Sequence, residues 1–275
     1  MKELASLLER ISGLDTSSEP LDAKEAEQRK VDDWNNSEGT LHEEDGYHCP
    51  ICKNRGDIAE LMEYPQGCWQ HKFRVCKCMA TRASIRRMNE SGLGNVIRDC
   101  TFDKFETNEP WQQTIKAAAM EYAKGKHGWL YMGGQSGAGK SHLCTAVCRE
   151  FLLGGKAVAY MMWADDAARL KAVSLEAEQR ERMMDRFKKT EVLYIDDLFK
   201  SGKGTEPTTA DVNLAFEILN HRYHNRMLTI LSTEKSPGEL VNIDEATGSR
   251  ILELARENTY HIHPDRKKNF RLRRQ

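Results

Sequence analysis

From about residue 100 onward, short apolar runs alternate with longer stretches in which apolar positions recur at helical spacing. The runs at 129–132, 157–162, 191–196, 228–232 and 259–263 predict strands. The segments 110–124, 140–152, 164–174, 176–188, 209–224 and 245–256 predict helices. Strands alternating with helices imply an α/β domain, a parallel sheet sandwiched by helices. Ahead of it the pattern is weaker. Leu4, Leu7, Leu8, Ile11 and Leu14 share one face of a short helix predicted over 2–14. Residues 15–46 are polar and acidic and read as a linker or weakly ordered segment. Residues 47–79 contain a cysteine cluster, and 79–90 predict a basic helix that stops at Ser91-Gly92. The chain thus divides into 1–46, 47–98 and 99–275, with no internal repeat.

Length and composition narrow the class. At 275 residues there is room for one large domain and a small one. A composition 39% hydrophobic and 30% charged suits a soluble protein, and no apolar run approaches the roughly 18–20 residues of a membrane span. Acids interrupt the N-terminus where a secretory signal would be apolar, so a cytoplasmic location is expected. In a reducing compartment, eight cysteines suggest metal binding or buried thiols. The net charge of −1 conceals segregation. Acids dominate from Glu19 to Asp45, bases from Lys72 to Arg98 (Arg74, Lys77, Arg82, Arg86, Arg87), and Arg266 to Arg274 is basic again. Such segregation suits an anionic partner such as nucleic acid, and it equally fits solvated faces.

The chemistry concentrates at Gly134-Gln135-Ser136-Gly137-Ala138-Gly139-Lys140-Ser141, which fits G-x-x-x-x-G-K-[ST] between a predicted strand and a predicted helix. The glycines let backbone N–H groups curl around phosphate oxygens, Lys140 can reach the β- and γ-phosphates, and Ser141 can ligate Mg2+. Residues Gly134 through His142 are therefore the candidate ATP contacts. The run Val192–Asp196 ends in two carboxylates, Asp196 and Asp197, as a Walker B element does. Asp196 would hold magnesium, and Asp197 stands where many ATPases carry a glutamate that polarises water. Ser232, Thr233 or Glu234 at the tip of the 228–232 strand could touch the γ-phosphate, or simply form a turn. Arg250 is a candidate arginine finger or a plain surface residue.

Cys49-Pro-Ile-Cys52 and Cys76-Lys-Cys78 are two close pairs whose separation suits a tetrahedral four-thiolate zinc site. The intervening Gly56–Tyr64 can form a strand pair that folds the pairs together. Cys68, His48 and His71 could substitute for one ligand. An iron–sulfur cluster matches this spacing less well. Cys100, Cys144 and Cys148 read as core.

Taken in order, GQSGAGKSHL, VLYIDDLFK, a helix ending in NHRYHNR, LTILSTEKSP, ATGSRI and NFRLRR resemble the DnaC/DnaI type of replicative helicase loader, an AAA+ ATPase. The CPIC…CKC module resembles phage and low-GC Gram-positive members, and the lead-in Ser91–Phe105 resembles the segment before their ATPase core. The resemblance covers about 48–275. It implies phosphate and magnesium binding at Lys140 and Ser141, Walker B roles for Asp196 and Asp197, and a sensor 1 role for Thr233 or Glu234. Asparagine is common at that last position, so the chain departs from the pattern there. It also implies an arginine finger at Arg250 and a terminal sensor arginine at Arg271. Too few residues follow Arg250 to build a helical lid, as is common in such loaders. The implied function is ATP-driven self-assembly that loads a hexameric replicative helicase onto single-stranded DNA. Hydrolysis would be slow and stimulated by assembly or DNA, and the 2–14 helix would be a docking element. The alternatives are an IstB-type transposition helper and a zinc-containing nucleic-acid-binding protein for which ATP is only a structural switch.

Overall fold

The computed structural model describes residues 22–90, 94–125, 127–202 and 205–273. The helix expected over 2–14 lies outside them, as does the Ser91-Gly92 stop. Contacts group residues up to Met79 into one unit and residues from Ala80 into a second.

The first unit is a helix on a hairpin. Strands β1 (Asp57–Tyr64) and β2 (Cys68–Val75) pair antiparallel, with Asp57 opposite Val75 and Tyr64 opposite Cys68. Helix α1 (Ala23–Asn36) packs against both strands. Over Ala23–Asn36 this corrects the reading of a linker or weakly ordered segment. The helix has little apolar surface, with Val31 its buried residue, and is held instead by directional polar contacts. Asn35 accepts from Ala59 N–H at 3.0 Å and donates to Ala59 C=O at 2.9 Å, capping the open edge of β1. Trp34 Nε1 donates to Asp57 Oδ1 at 3.0 Å, and Glu27 Oε2 lies 2.6 Å from His71 Nδ1. Arg55 lies over the Trp34 ring at 4.0 Å and Lys24 over the Trp69 ring at 4.3 Å. A short helix, α2 (Leu41–Asp45), leads into the cysteine region.

Helix α3 (Cys78–Glu90) starts in the first unit and continues into the second. Arg82, one of the bases of the 72–98 stretch, is buried, whereas Arg86 is exposed. Helix α4 (Gly94–Asp99) follows.

The second unit is a three-layer α/β domain. Strands β3 (Leu130–Gly134), β4 (Val158–Met162), β5 (Val192–Asp196), β6 (Leu228–Ser232) and β7 (Thr259–Ile262) form one parallel sheet in the order β4-β5-β6-β3-β7. Successive residues point to opposite faces, and both faces are covered. Leu130, Tyr160, Tyr194 and Ile230 pack with helices α5 (Pro110–Ala123) and α6 (Lys140–Leu153). Tyr131, Met161, Ile195 and Leu231 pack with α7 (Trp163–Ala172), α8 (Ala177–Lys189), α9 (Thr209–His224), α10 (Pro237–Ile243) and α11 (Glu245–Ala255). Cys144 and Cys148 are buried on α6, and Cys100 is partly buried. After β7 the described residues make a single 3-10 turn at Arg266–Lys268 and a one-turn helix, α12 (Phe270–Arg273), with no helical lid among them. In this order the tips of β3, β5 and β6 are neighbours, which gathers the phosphate loop and the acidic strand end in one place.

Candidate functional site

The loop between β3 and α6 folds as its glycines require. Gly134, Gly137 and Gly139 have φ of +97°, +72° and +85°. A side chain at Gly137 would sit 2.1 Å from Asn269 Oδ1, and one at Gly139 would sit 2.6 Å from the Phe105 ring. The buried Lys140 ammonium turns back onto the loop and donates to the carbonyls of Gly134 and Gln135, both at 2.8 Å. Burial pushes the Lys140 pKa down, while the charges of Asp197 and Glu234 act against that.

Asp196, at the end of β5, collects hydroxyls. Its Oδ1 accepts from Ser141 Oγ at 2.8 Å, from Tyr194 OH at 2.7 Å and from Ser232 Oγ; its Oδ2 accepts from Tyr160 OH at 3.1 Å. Burial, reinforced by Asp196 itself, pushes both tyrosines well above their ordinary range, so they stay neutral O–H donors. Ser232 also accepts from Asp197 N–H at 3.0 Å, tying the tips of β5 and β6 together. Asp197 sits in the left-handed region at φ +55°, and its Oδ2 accepts from Lys200 Nζ at 2.6 Å. Lys200 also lies 3.4 Å from Glu234 Oε1. Burial raises the Glu234 pKa, but Ser136, Lys200 and Lys140 outweigh it and hold this carboxyl below its ordinary range.

A cavity of about 300 Å3 opens over the loop, lined on that side by Ser136, Gly137, Gly139, Lys140, Ser141 and His142. Asp197, Glu234 and Arg271 line it as well. Asp196 stands behind Ser141, outside the lining. Thr233 is not brought to the cavity: it is buried, donates to Leu198 C=O at 2.7 Å and accepts from Lys235 N–H at 3.1 Å. Of the two sensor candidates, the structure places Glu234 at the cavity. Arg250 is not brought there either; its Nη1 donates to Ala246 C=O at 2.7 Å and its guanidinium lies about 5.4 Å from the Phe216 ring. His142 is engaged with Thr101 C=O at 2.8 Å.

Lys104, Phe105, Glu106, Lys200 and Phe270 complete the lining; the quoted motifs run through four of them but assign none a role. Phe105 stacks edge-on against His142 and Phe270, with ring centroids 5.5 and 6.0 Å apart. The tail is stitched to the loop: Phe270 N–H donates to Gly137 C=O at 2.9 Å, Gln135 N–H to Ile262 C=O at 2.8 Å, and Asp265 N–H to Gln135 Oε1 at 2.9 Å. These bonds carry Arg271 to the cavity mouth. The one available signal was aromatic residues in otherwise polar segments on either side of the domain.

In the first unit, Cys49, Cys52, Cys76 and Cys78 are all buried, with their sulfurs within 4.8 Å of one another. Cys49 and Cys76 Sγ are 3.8 Å apart, and Cys52 and Cys78 Sγ 3.5 Å. A tetrahedron with Zn–S of about 2.3 Å has edges of about 3.8 Å, so the donor set fits zinc in both chemistry and size. Lys53 and Asn54, at φ +44° and +67°, turn the chain after Cys52, and Asn54 Oδ1 accepts from Cys49 N–H at 2.8 Å. Burial pushes the Cys52 thiol up, but Gly56 N–H and the neighbouring thiols outweigh it and bring it down to about 7. Cys68 is exposed on the hairpin, His71 is paired with Glu27, and His48 lies outside the four-sulfur cluster.

No described helix is long and apolar enough to cross a membrane. The bacterial DnaA ATPase domain matches residues 97–254. The chain is 32% identical over 223 residues to the phage-like element PBSX protein XkdC of Bacillus subtilis strain 168, covering 76% of this chain and 79% of that one. It is 25% identical over 198 residues to the replicative helicase loader DnaC of Escherichia coli strain K12, covering 68% and 78%. The crystal structure of a DnaC helicase loader superposes with a TM-score of 0.50 at 18% identity, over 62% of this chain and 98% of that one, and shares its fold. An ATP-binding AAA+ fold, a phosphate loop beside a carboxylate-tipped strand and these relatives together show that the chain belongs to the DnaC-type helicase-loader family of replication AAA+ ATPases.

Proposed function

We propose that this protein loads a hexameric replicative DNA helicase onto single-stranded DNA, using ATP bound and hydrolysed in an assembly of its own copies. The observation that carries the reading is the 2.8 Å separation of Ser141 Oγ and Asp196 Oδ1. Adjacent oxygens around an octahedral Mg2+ at about 2.0–2.1 Å lie about 2.9 Å apart, so these two are spaced to share one ion, directly or through water. Magnesium, when bound, supplies charge neutralisation at the phosphates. Around it, Lys140 and the loop N–H groups from Gly134 to His142 hold the phosphates, and Asp197 orients the attacking water. Glu234 takes the sensor position and Arg271 reaches in from the tail. Arg250, engaged away from its own loop, serves the site of a neighbouring copy.

The four cysteines hold zinc in this reading. Residues 1–46 and 47–98 dock on the helicase, while the ATPase domain at 99–275 meets DNA in the cytoplasm. Turnover is slow because Asp197 is one methylene shorter than glutamate and is tied to Lys200 at 2.6 Å. The test is a pull-down of purified hexameric replicative helicases with ATP, with ADP and without nucleotide. A nucleotide-dependent complex is expected, and no complex under any condition would overturn the proposal. The Asp197–Lys200 pair also favours a second reading, ATP as a structural switch. Intact ATP binding with no DNA-stimulated phosphate release would select it.

A further inference from the structure

The first unit carries a second group of metal-binding side chains that the four cysteines do not use. Glu38, His42 and His48 each offer one ligand atom, and these atoms lie within 4.8 Å of one another. His42 sits on α2, with Glu38 before it and His48 after it. The segment is pinned to the cysteine knuckle by two backbone bonds, Gly39 N–H to Lys53 C=O at 2.7 Å and Leu41 N–H to Asn54 C=O at 3.2 Å. A side chain at Gly39 would lie 2.5 Å from Asn54 O, so only glycine permits this approach. Gly46, at φ +70°, turns the chain after α2, and His48 comes back beside His42 with ring centroids 4.7 Å apart.

One atom in this group is left unexplained by the protein alone. His42 Nδ1 is buried and has no hydrogen-bond partner among the described residues. A buried imidazole nitrogen without a partner is costly, and native structures retain one where an ion, a water or a function accounts for it.

We propose that Glu38, His42 and His48 form a second divalent-metal site, separate from the four-thiolate centre. Two imidazoles and one carboxylate suit borderline ions of the zinc class and disfavour calcium or magnesium, which take all-oxygen sets. Zinc with ligands at about 2.0–2.1 Å needs them about 3.4 Å apart, so the side chains close inward by at most roughly 1.4 Å. Glu38 and His48 are exposed, and the Glu38 carboxylate has a second oxygen to offer besides the one that Asn54 reaches. Three protein ligands leave a fourth position for water or for a donor from another molecule, unlike the closed cysteine centre. The sites are linked through Asn54, whose Nδ2 donates to Glu38 Oε1 at 3.3 Å while its Oδ1 accepts from Cys49 N–H at 2.8 Å. The second ion therefore stiffens the knuckle that carries the first.

The test is zinc stoichiometry and calorimetric titration with ZnCl2 on the full-length chain, purified without a histidine tag. Two equivalents are expected, the second removable by a weak chelator while the first stays. H42Q, H48Q and E38Q are each expected to keep the first equivalent and weaken the second by about tenfold or more. Cobalt added to the one-zinc protein should give weak visible bands with no near-ultraviolet thiolate charge transfer. A single equivalent in the wild type, or a second one unchanged in H48Q and E38Q, would overturn the proposal. The exposed positions of Glu38 and His48 make those two variants safe for folding even where H42Q is not. Loss of the first equivalent alone would count against the cysteine centre and leave this site standing.

Discussion

Arg222 offers a sharp test of how the domain is held together. It is buried on α9 with no carboxylate partner among the described residues, and burial pushes its pKa down. Its charge is met by six acceptors. Nε donates to Thr229 Oγ1 at 2.9 Å, Nη1 to the carbonyls of Phe187, Lys188 and Thr190 at 3.0, 3.1 and 2.8 Å, and Nη2 to those of Glu191 and Leu228 at 3.3 and 2.5 Å. Four of these carbonyls belong to the end of α8 and the turn into β5, where helix carbonyls lack intrahelical donors and the dipole favours a cation. Arg222→Met fits the volume but leaves these acceptors unmet. Each dry, unpaired acceptor costs about 1–3 kcal/mol, whereas removing the buried charge returns several kcal/mol. Since one side only of a buried network is deleted, the loss should win, by about 3–5 kcal/mol. In a domain of this size that lowers Tm by roughly 6–20 °C. Urea unfolding of the second unit, followed by near-ultraviolet circular dichroism, reads it as a lower midpoint with an unchanged slope. Arg222→Lys keeps the charge but loses the fork, and should fall between. A Met variant within about 1 kcal/mol of wild type would refute the reasoning, because it would mean that water or relaxation satisfies the carbonyls.

Four further outcomes are expected. Lys140→Ala should abolish ATP binding in calorimetry, and normal affinity would sink the site assignment. Arg250→Ala should leave ATP affinity intact but cut turnover at high protein concentration at least tenfold; turnover that is unchanged per site would remove the finger role. Cys49→Ser, or a strong chelator, should release zinc and make residues 47–79 protease-sensitive while the thermal transition of the second unit persists. Metal-free protein with an unchanged digestion pattern would exclude a folding role for the metal. Glu217 is bonded to Arg180 and Lys188; burial raises its pKa, but the two cations outweigh that and hold it below the ordinary value. A depressed acid contributes stability that is present above its unfolded pKa of about 4.3 and lost as pH falls through the folded value. Glu217→Gln should therefore cost under about 1 kcal/mol at neutral pH and progressively less as pH falls below the unfolded pKa, and a cost that does not change with pH would be inconsistent with an ion pair.

What the sequence made legible follows from where burial is unambiguous. Val192–Asp196 reads as a strand because a strand covered on both faces is continuously apolar, and the glycine spacing around Lys140 has one physical use in a strand-loop-helix setting. Paired cysteines read well because proximity along the chain is most of the ligand geometry. Helix α1 is illegible by periodicity because it carries little apolar stripe, and Asn35, Trp34 and Glu27 hold it by hydrogen bonds and ring contacts. Thr233 and Glu234 were indistinguishable because only the turn at Leu198 decides which of them faces inward: Thr233 closes that turn through its hydroxyl, and Glu234 is left at the cavity. Phe105 and Phe270 meet across the loop from opposite ends of the domain, which no periodicity reports.

The hydroxyl cluster on Asp196 bears on how the site responds to its ion. Asp196 Oδ1 accepts three bonds, from Ser141, Tyr194 and Ser232. A magnesium ion at this oxygen needs one of its lone pairs, so one donor must turn away. Tyr194 is buried on the strand itself and Ser232 is engaged by Asp197 N–H, whereas Ser141 can rotate its hydroxyl proton aside and offer its oxygen to the same ion. In the proposed site Ser141 and Asp196 would hold magnesium, and the tyrosine and Ser232 hydroxyls would keep the Asp196 carboxylate oriented. The part with freedom to respond is the adjacent Asp197–Lys200–Glu234 chain, which faces the cavity where the terminal phosphate would stand. A site built this way would keep Asp196 oriented and leave bound phosphate to compete with Asp197 and Glu234 for Lys200.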